Sequence, residues 1–350
     1  MPTDQKEADR QNEQLRALVV GVGNGDVELE KAEADVRAMI QKDAQFLEGY
    51  TLLAEIVGGE DDEKAEKVYL DGYQAALKVM PKDFNGPLDA ENTVVQCFLR
   101  CHTGFVESLA AKGQYKEAIA AARRQLMLDP GDLFEREREL GEMHIMDGQY
   151  DEARRILEEQ AKSRATALYS LAYIDFLAEK YAEAAARLRQ AFLLAPYAAD
   201  FITGRMTSPN LFWQAGPRAP QFQDELMYVE TLGGEIWTAD NEARAFMEWL
   251  SQTSAAMGDR AAMAAISEKS FAQGEAGAKE ADEFMALWNK AGVAADALVQ
   301  EVKNPESGEK MRPWELLAVY HDQMSEENGF YEEEEEDGCG CGCGGHDHRH

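Results

Sequence analysis

Three cysteines and three histidines crowd one end of this 350-residue chain: Cys339, Cys341, Cys343, His346, His348 and His350. The cysteines alternate with glycines in Gly338-Cys-Gly-Cys-Gly-Cys-Gly-Gly-His-Asp-His-Arg-His350. Alternation places the thiols on one side of an extended chain, and the glycines let the backbone wrap an ion. Thiolate and imidazole together suit soft or borderline cations, Zn²⁺, Ni²⁺ or Cu⁺. Such a tract is a compositional metal-binding signal, and zinc or nickel is the expected cofactor. The competing reading is a low-complexity solubilising tail. Six consecutive acids, Glu332–Asp337, precede it; they repel one another and cannot pack.

A second candidate is Cys97, Cys101 and His102, close together on one helical stretch. They offer half of a metal or nucleophile site, but no second ligand pair lies near in sequence. Buried small residues of a packed helix are the favoured reading. His144 is expected in the core or lining a groove, and His321 has no partner that the sequence names. Gly21-Val-Gly-Asn-Gly25 reads as a turn, since no Lys-Ser/Thr follows as in a phosphate loop. Neither Gly-x-Ser-x-Gly nor His-Glu-x-x-His occurs, so no catalytic constellation rises above composition and an enzyme is the least favoured class.

These residues must be carried by something. The chain has 66 acidic and 35 basic residues, a formal charge of −31, and 45% hydrophobic residues, enough for a folded core. The charge opposes nucleic-acid and anionic-membrane binding. The first ten residues are polar, with no apolar stretch for a signal peptide, and no run of apolar residues could span a bilayer. The five cysteines do not form a secreted disulfide framework, so a cytoplasmic location is expected.

Internal repeats supply the architecture. Gly113-Gln-Tyr-Lys-Glu-Ala118, Gly148-Gln-Tyr-Asp-Glu-Ala153 and Lys180-Tyr-Ala-Glu-Ala184 align, with Tyr115, Tyr150 and Tyr181 separated by 35 and 31 residues. Pro130 and Pro196 close the first and third units, and Gly141 and Ala172 stand at the small-residue position of the preceding helix. Two antiparallel helices cross closely only where side chains are small, here Gly141 and Ala172 against Ala153 and Ala184; the first unit has Val106 there. Proline ends a helix it cannot continue.

Residues 97–196 thereby resemble the tetratricopeptide repeat (TPR) family, whose unit is about 34 residues of helix–turn–helix. The resemblance implies an all-α, TPR-like helical-repeat solenoid with a helical cap and a disordered tail. Residues 46–83 look like a looser copy, and residues 6–43 read as two more helices. Asp89 or Thr93 is expected to cap the helix that follows the loop at 84–93. Beyond Pro196, the loop at 207–221, then helices at 222–232 and 240–257, resemble the module that follows the repeats in the suppressor-of-tumorigenicity-seven family and imply a cap. Further helices are expected over 260–280, 283–302 and 313–327. The domain layout read from this is 1–93, 94–203, 204–328 and a tail at 329–350.

In a helical-repeat solenoid the inner face binds. By the TPR register, that face comprises Arg100, Thr103 and Glu107, then Glu135, Arg138 and Glu142, then Thr166, Tyr169 and Tyr173. Family members that clamp a C-terminal carboxylate place Lys and Asn at these positions. Glu and Tyr stand there in this chain, so the expected partner is a mixed or basic amphipathic protein segment, not an acidic C-terminus. The alternative is a solvated face with no partner. The tail resembles the Cys/His-rich tails of metal-handling bacterial chaperones and metallochaperones. It is also similar to the zinc tail of the preprotein-translocase motor, without that motif's fourth ligand. The resemblances together imply an adaptor carrying a metal-binding tail; the alternative is a metal store or metallochaperone for which the helices are only a carrier.

Overall fold

A computed structural model describes residues 5–319 apart from 60, 79, 81–83, 85, 206–218, 274–277 and 306. The described chain is all-α, and strand pairing within it is confined to one two-residue hairpin. No described helix is long and apolar enough to cross a membrane. The chain divides into two compact units, Met1–Ser163 and Arg164–His350.

The first unit holds α1 (Gln5–Gly23), α2 (Leu29–Lys42), α3 (Leu47–Gly58), α4 (Asp62–Leu77), α5 (Thr93–Ala111), α6 (Tyr115–Leu128), α7 (Arg136–Met146) and α8 (Tyr150–Gln160). Each helix from α1 to α8 packs on the next, and α3 also packs on α5. The acidic run before α4 works as charge at a helix N-terminus should: the Asp61 carboxylate accepts the Lys64 amide at 3.0 Å. The cap of α5 is Asn92, not Asp89 or Thr93. Its Oδ1 accepts from the Val94 and Val95 amides, while Asp89 closes a turn by accepting from the Glu91 amide. Leu99, Cys101, Phe98, Tyr73 and Leu128 form one apolar core cluster; Val36, Leu53, Ala54, Val57 and Val68 form another.

The aligned Gly/Tyr segments all fold into one turn. At Gly113, Gly148 and Glu179 the backbone is left-handed, with φ of 69°, 72° and 57°. In each case the next amide reaches back five residues (Gln114 to Leu109 O, Gln149 to His144 O, Lys180 to Asp175 O) at 2.8–2.9 Å. The left-handed residue's own amide reaches back three, to Ala110, Ile145 and Phe176. This is the Schellman arrangement, which satisfies the last carbonyls of a helix. It ends α1 at Gly25 as well. Ala118, Ala153 and Ala184 are fully buried. The tyrosines differ: Tyr115 is half-buried, Tyr150 is exposed, and Tyr181 lies in an aromatic cluster. The close crossings also differ in detail from the expectation. The atoms a Cβ on Gly141 would meet first belong to Leu157, at 2.6 Å, and α5 makes a further close crossing on α4, where a Cβ on Gly104 would meet Tyr69 at 2.5 Å.

The second unit comprises α9 (Ala167–Leu177), α10 (Tyr181–Leu194), α11 (Pro196–Ile202), α12 (Ala219–Val229), α13 (Leu232–Thr238), α14 (Asn241–Ser251), α15 (Ser254–Gln273) and α16 (Ala278–Ala291). A 3₁₀ turn (Asp296–Leu298), strands β1 (Val302–Lys303) and β2 (Lys310–Met311), and helical residues 313–319 follow. Pro196 starts α11, where its missing N–H costs nothing. Two expected helices are corrected. Residues 240–257 break at Gln252–Thr253, because the Thr253 hydroxyl caps a new helix by accepting the Ala256 amide at 3.2 Å. The helix expected over 283–302 stops at Ala291, followed by Gly292 and an extended hairpin whose register pairs Val302 with Met311. The expected loop at 207–221 lies mostly outside the described residues, and the part within them is already helical from Ala219.

Two ion-paired knots bind this unit. Asp259, 1% exposed, takes Arg189 of α10 and Lys290 of α16. Asp200 of α11 accepts from both terminal guanidinium nitrogens, Nη1 and Nη2, of Arg260 from α15.

Candidate protein-binding face

The expected binding residues of α5 and α7 gather on one face of the first unit. Arg100 and Glu107 are exposed on α5, with half-buried Thr103 between them accepting a hydrogen bond from Gln125 Nε2 at 2.8 Å. Arg100 pairs with Glu55 of α3 and lies over the Phe134 ring, 5.8 Å from its centroid. Glu107 Oε1 accepts from Arg136 Nη2 at 3.0 Å, and Arg136 Nη1 pairs with Glu139 at 3.1 Å. Arg136 is only 5% exposed and Glu107 51%, so the pair runs from the interior to the surface. Desolvation pushes the Glu107 carboxyl up, and Arg136 opposes that shift. Exposed Glu135 pairs with Arg138 at 3.5 Å, while Arg138 and Glu142 are themselves buried.

Glu55, Phe134, Arg136 and Glu139 are additions that the repeat register missed. The signal for Arg136 and Glu139 is their i,i+3 spacing at the start of α7; that for Glu55 is its place on the first helix of the looser repeat copy.

The loop before α7 is held in an uncommon shape. Asp132 and Glu135 both have left-handed backbones (φ 51° and 52°), a conformation costing non-glycine residues about 1–2 kcal/mol each. Side chains impose it. Asp129 Oδ2 accepts the Leu133 amide at 2.7 Å, and the Asp132 carboxylate accepts the Arg136 and Glu137 amides at 2.6 and 2.9 Å, capping α7. Leu133 is left 49% exposed beside Phe134 and Glu135. The face thus pairs each cation with at least one carboxylate and still has carboxylates in excess, with an apolar edge at Leu133.

Thr166, Tyr169 and Tyr173 do not form an open face in the second unit. Helices α12 and α13 cover them. Thr166 Oγ1 donates to Asp224 at 2.8 Å. Tyr169 is 0% exposed, packs on Tyr228 and Phe192, and donates its hydroxyl to the Ala195 carbonyl. Tyr173 packs edge-on against Trp237 at 5.3 Å. The reason is apolar area: a first helix this aromatic is most stable when other aromatics exclude water from it.

Cys97, Cys101 and His102 sit in the α4–α5 core. Burial pushes the thiols up to about 11 and about 12, which keeps them protonated at neutral pH. His102 is stacked 4.6 Å from Tyr73, and neither ring nitrogen reaches a hydrogen-bond partner in good geometry. Desolvation, then Arg124 and Arg136, push it down to about 3, with only the Ala121 backbone pulling the other way. His144 is buried between Arg123 and Gln149, at 3.2 and 3.0 Å, and ties α7 to α6. Cys339, Cys341, Cys343, His346, His348, His350 and His321 lie outside the described residues. Among the described residues no group of three or more His, Cys, Asp or Glu is arranged to hold a metal ion.

No protein-family pattern matches this chain, and no curated protein does.

Proposed function

We propose that the protein is a TPR-type adaptor that docks a mixed or basic amphipathic segment of another protein. The observation carrying this is the chain of ion pairs across α3, α5 and the start of α7, in which carboxylates outnumber the three arginines. Such a face attracts cations by its residual charge and offers Leu133 and Phe134 as apolar anchors. The shared backbone hydrogen-bond pattern of the turns at Gly113, Gly148 and Glu179 supports the helical-repeat reading, and α12–α14 support a capping role for the module after the repeats. The Cys/His tail binds zinc or nickel in this reading.

Two measurements on the full chain test the two halves. A panel of labelled cationic amphipathic, neutral and acidic peptides, followed by fluorescence polarisation, should rank the cationic ones first. Binding should weaken at least tenfold in Glu55→Lys with Glu135→Lys, two exposed positions chosen to spare the fold. Preference for the acidic peptides, or indifference to the double substitution, refutes the face. Metal content after zinc or nickel loading should drop to background when the chain is truncated after Asp337. Retention of tight binding by the truncated chain removes the tail from the proposal. If metal binding survives the loss of every peptide interaction, storage or metallochaperone activity takes the place of the adaptor role.

A further inference from the structure

The segment after α16 is a strap with two attachment points. Between residues 292 and 319, only Val299 and Trp314 are buried among the described residues. Trp314 is fully enclosed. Its ring centroid lies 4.9 Å from that of Tyr181, 4.8 Å from Phe246 (edge-on) and 5.2 Å from Trp249. Arg312 lies over the Tyr181 ring at 5.3 Å and the Trp314 ring at 5.9 Å, and it donates to the Val299 carbonyl at 2.5 Å, tying the two points together. Trp314 Nε1 donates to Glu242 Oε1 at 3.4 Å. The intervening hairpin contributes four paired residues and almost no burial.

A segment held this way opens locally before the helices do, because its anchors are few: the Trp314 indole, the Val299 side chain and the Arg312 guanidinium that links them. The slot beneath it has the composition of an interaction hot spot: clustered aromatics, a hydrogen-bond acceptor in Glu242, and faces that receive a cation. We propose that Arg312-Pro313-Trp314 is an intramolecular ligand, and that its release opens the Tyr181–Phe246–Trp249 slot. The incoming partner segment has the same chemistry, a tryptophan with an arginine two residues before it. The seated strap is itself the demonstration that such a segment fits. This site is distinct from the charged face of the first unit and does not depend on it.

The test is a fluorescein-labelled peptide of residues Glu309–Val319 added to the full chain and to its Trp314→Ala variant. The variant should bind the peptide at least tenfold more tightly than the parent, and a peptide with alanine for the tryptophan should not bind. A variant with parental helical circular dichroism that takes up no peptide, or equal binding to both chains, overturns the proposal. Should the variant lose its helical signal, hydrogen exchange on the parent chain decides. The amides of Arg312 and Glu315, which bond across the anchor to the Glu315 carboxylate and the Arg312 carbonyl, should exchange at least a hundredfold faster than those of α10 and α14. Exchange no faster than those helices would make the strap part of the core and overturn the proposal.

Discussion

The three matched turns invite a perturbation whose sign differs between positions. A Cβ added at Gly113 or Gly148 meets nothing within 4 Å, so Gly113→Ala and Gly148→Ala cost only what a left-handed backbone costs. That cost is about 1–2 kcal/mol, and the lower entropy of the unfolded alanine chain returns about 0.4–1 kcal/mol. The expected net loss is about 1 kcal/mol at each site. Glu179 is the reverse case, an exposed non-glycine at φ 57° in the same turn. Glu179→Gly relieves the same backbone cost and should stabilise by about 0.5–1 kcal/mol after the unfolded-state entropy of glycine is subtracted. The assay is urea unfolding. All five tryptophans lie beyond Ser163, so intrinsic fluorescence follows the second unit, where Glu179 sits, while circular dichroism at 222 nm follows both. Gly148→Asn is the control, since asparagine tolerates the left-handed region and should lose less than alanine. Neutral alanine substitutions at both glycines, or a Glu179→Gly chain that unfolds at lower urea, would refute the claim that the turns are physically equivalent.

Two buried titratable groups should bend the stability curve in opposite directions. The folded pKa of His102 is about 3 against 6.5 for the free side chain, so the unfolded chain binds the extra proton between those values. Stability is therefore present above pH 6.5 and falls below it, by about 2 kcal/mol at pH 5; His102→Leu should flatten that loss in urea titrations at pH 7.5 and 5. Glu225 of α12 is fully buried, with Oε2 accepting the Tyr197 and Ala198 amides, and desolvation raises it to about 8 from 4.5. Here the folded state holds the extra proton, so its contribution is full below pH 4.5 and fades as pH rises through 8. Glu225→Gln keeps the acceptor and should remove about 2 kcal/mol of the decline between pH 6 and 8, read by tryptophan fluorescence; an unchanged slope would mean the carboxyl is already ionised at pH 6.

What could be read from the sequence alone was local. Glycine or a tolerated residue two before tyrosine, and alanine three after it, are signals spanning one turn, and the physics they report is one turn long: a left-handed residue and two backbone hydrogen bonds. The all-α class follows from the same patterns. The charged face on α5 was legible in part, because Arg100, Thr103 and Glu107 share a side of one helix whatever it packs against. Only the tertiary structure decided what happened to each face afterwards. Tyr169 and Tyr173 looked like anchors for a partner, and their partners proved to be Tyr228 and Trp237 of the same chain. Thr166 meets Asp224 across 58 residues of sequence. Trp314 fills a slot begun by Tyr181. Contacts of that separation leave no periodic trace, because they are selected by which apolar surfaces exclude water together, and any of several aromatic helices could have done so.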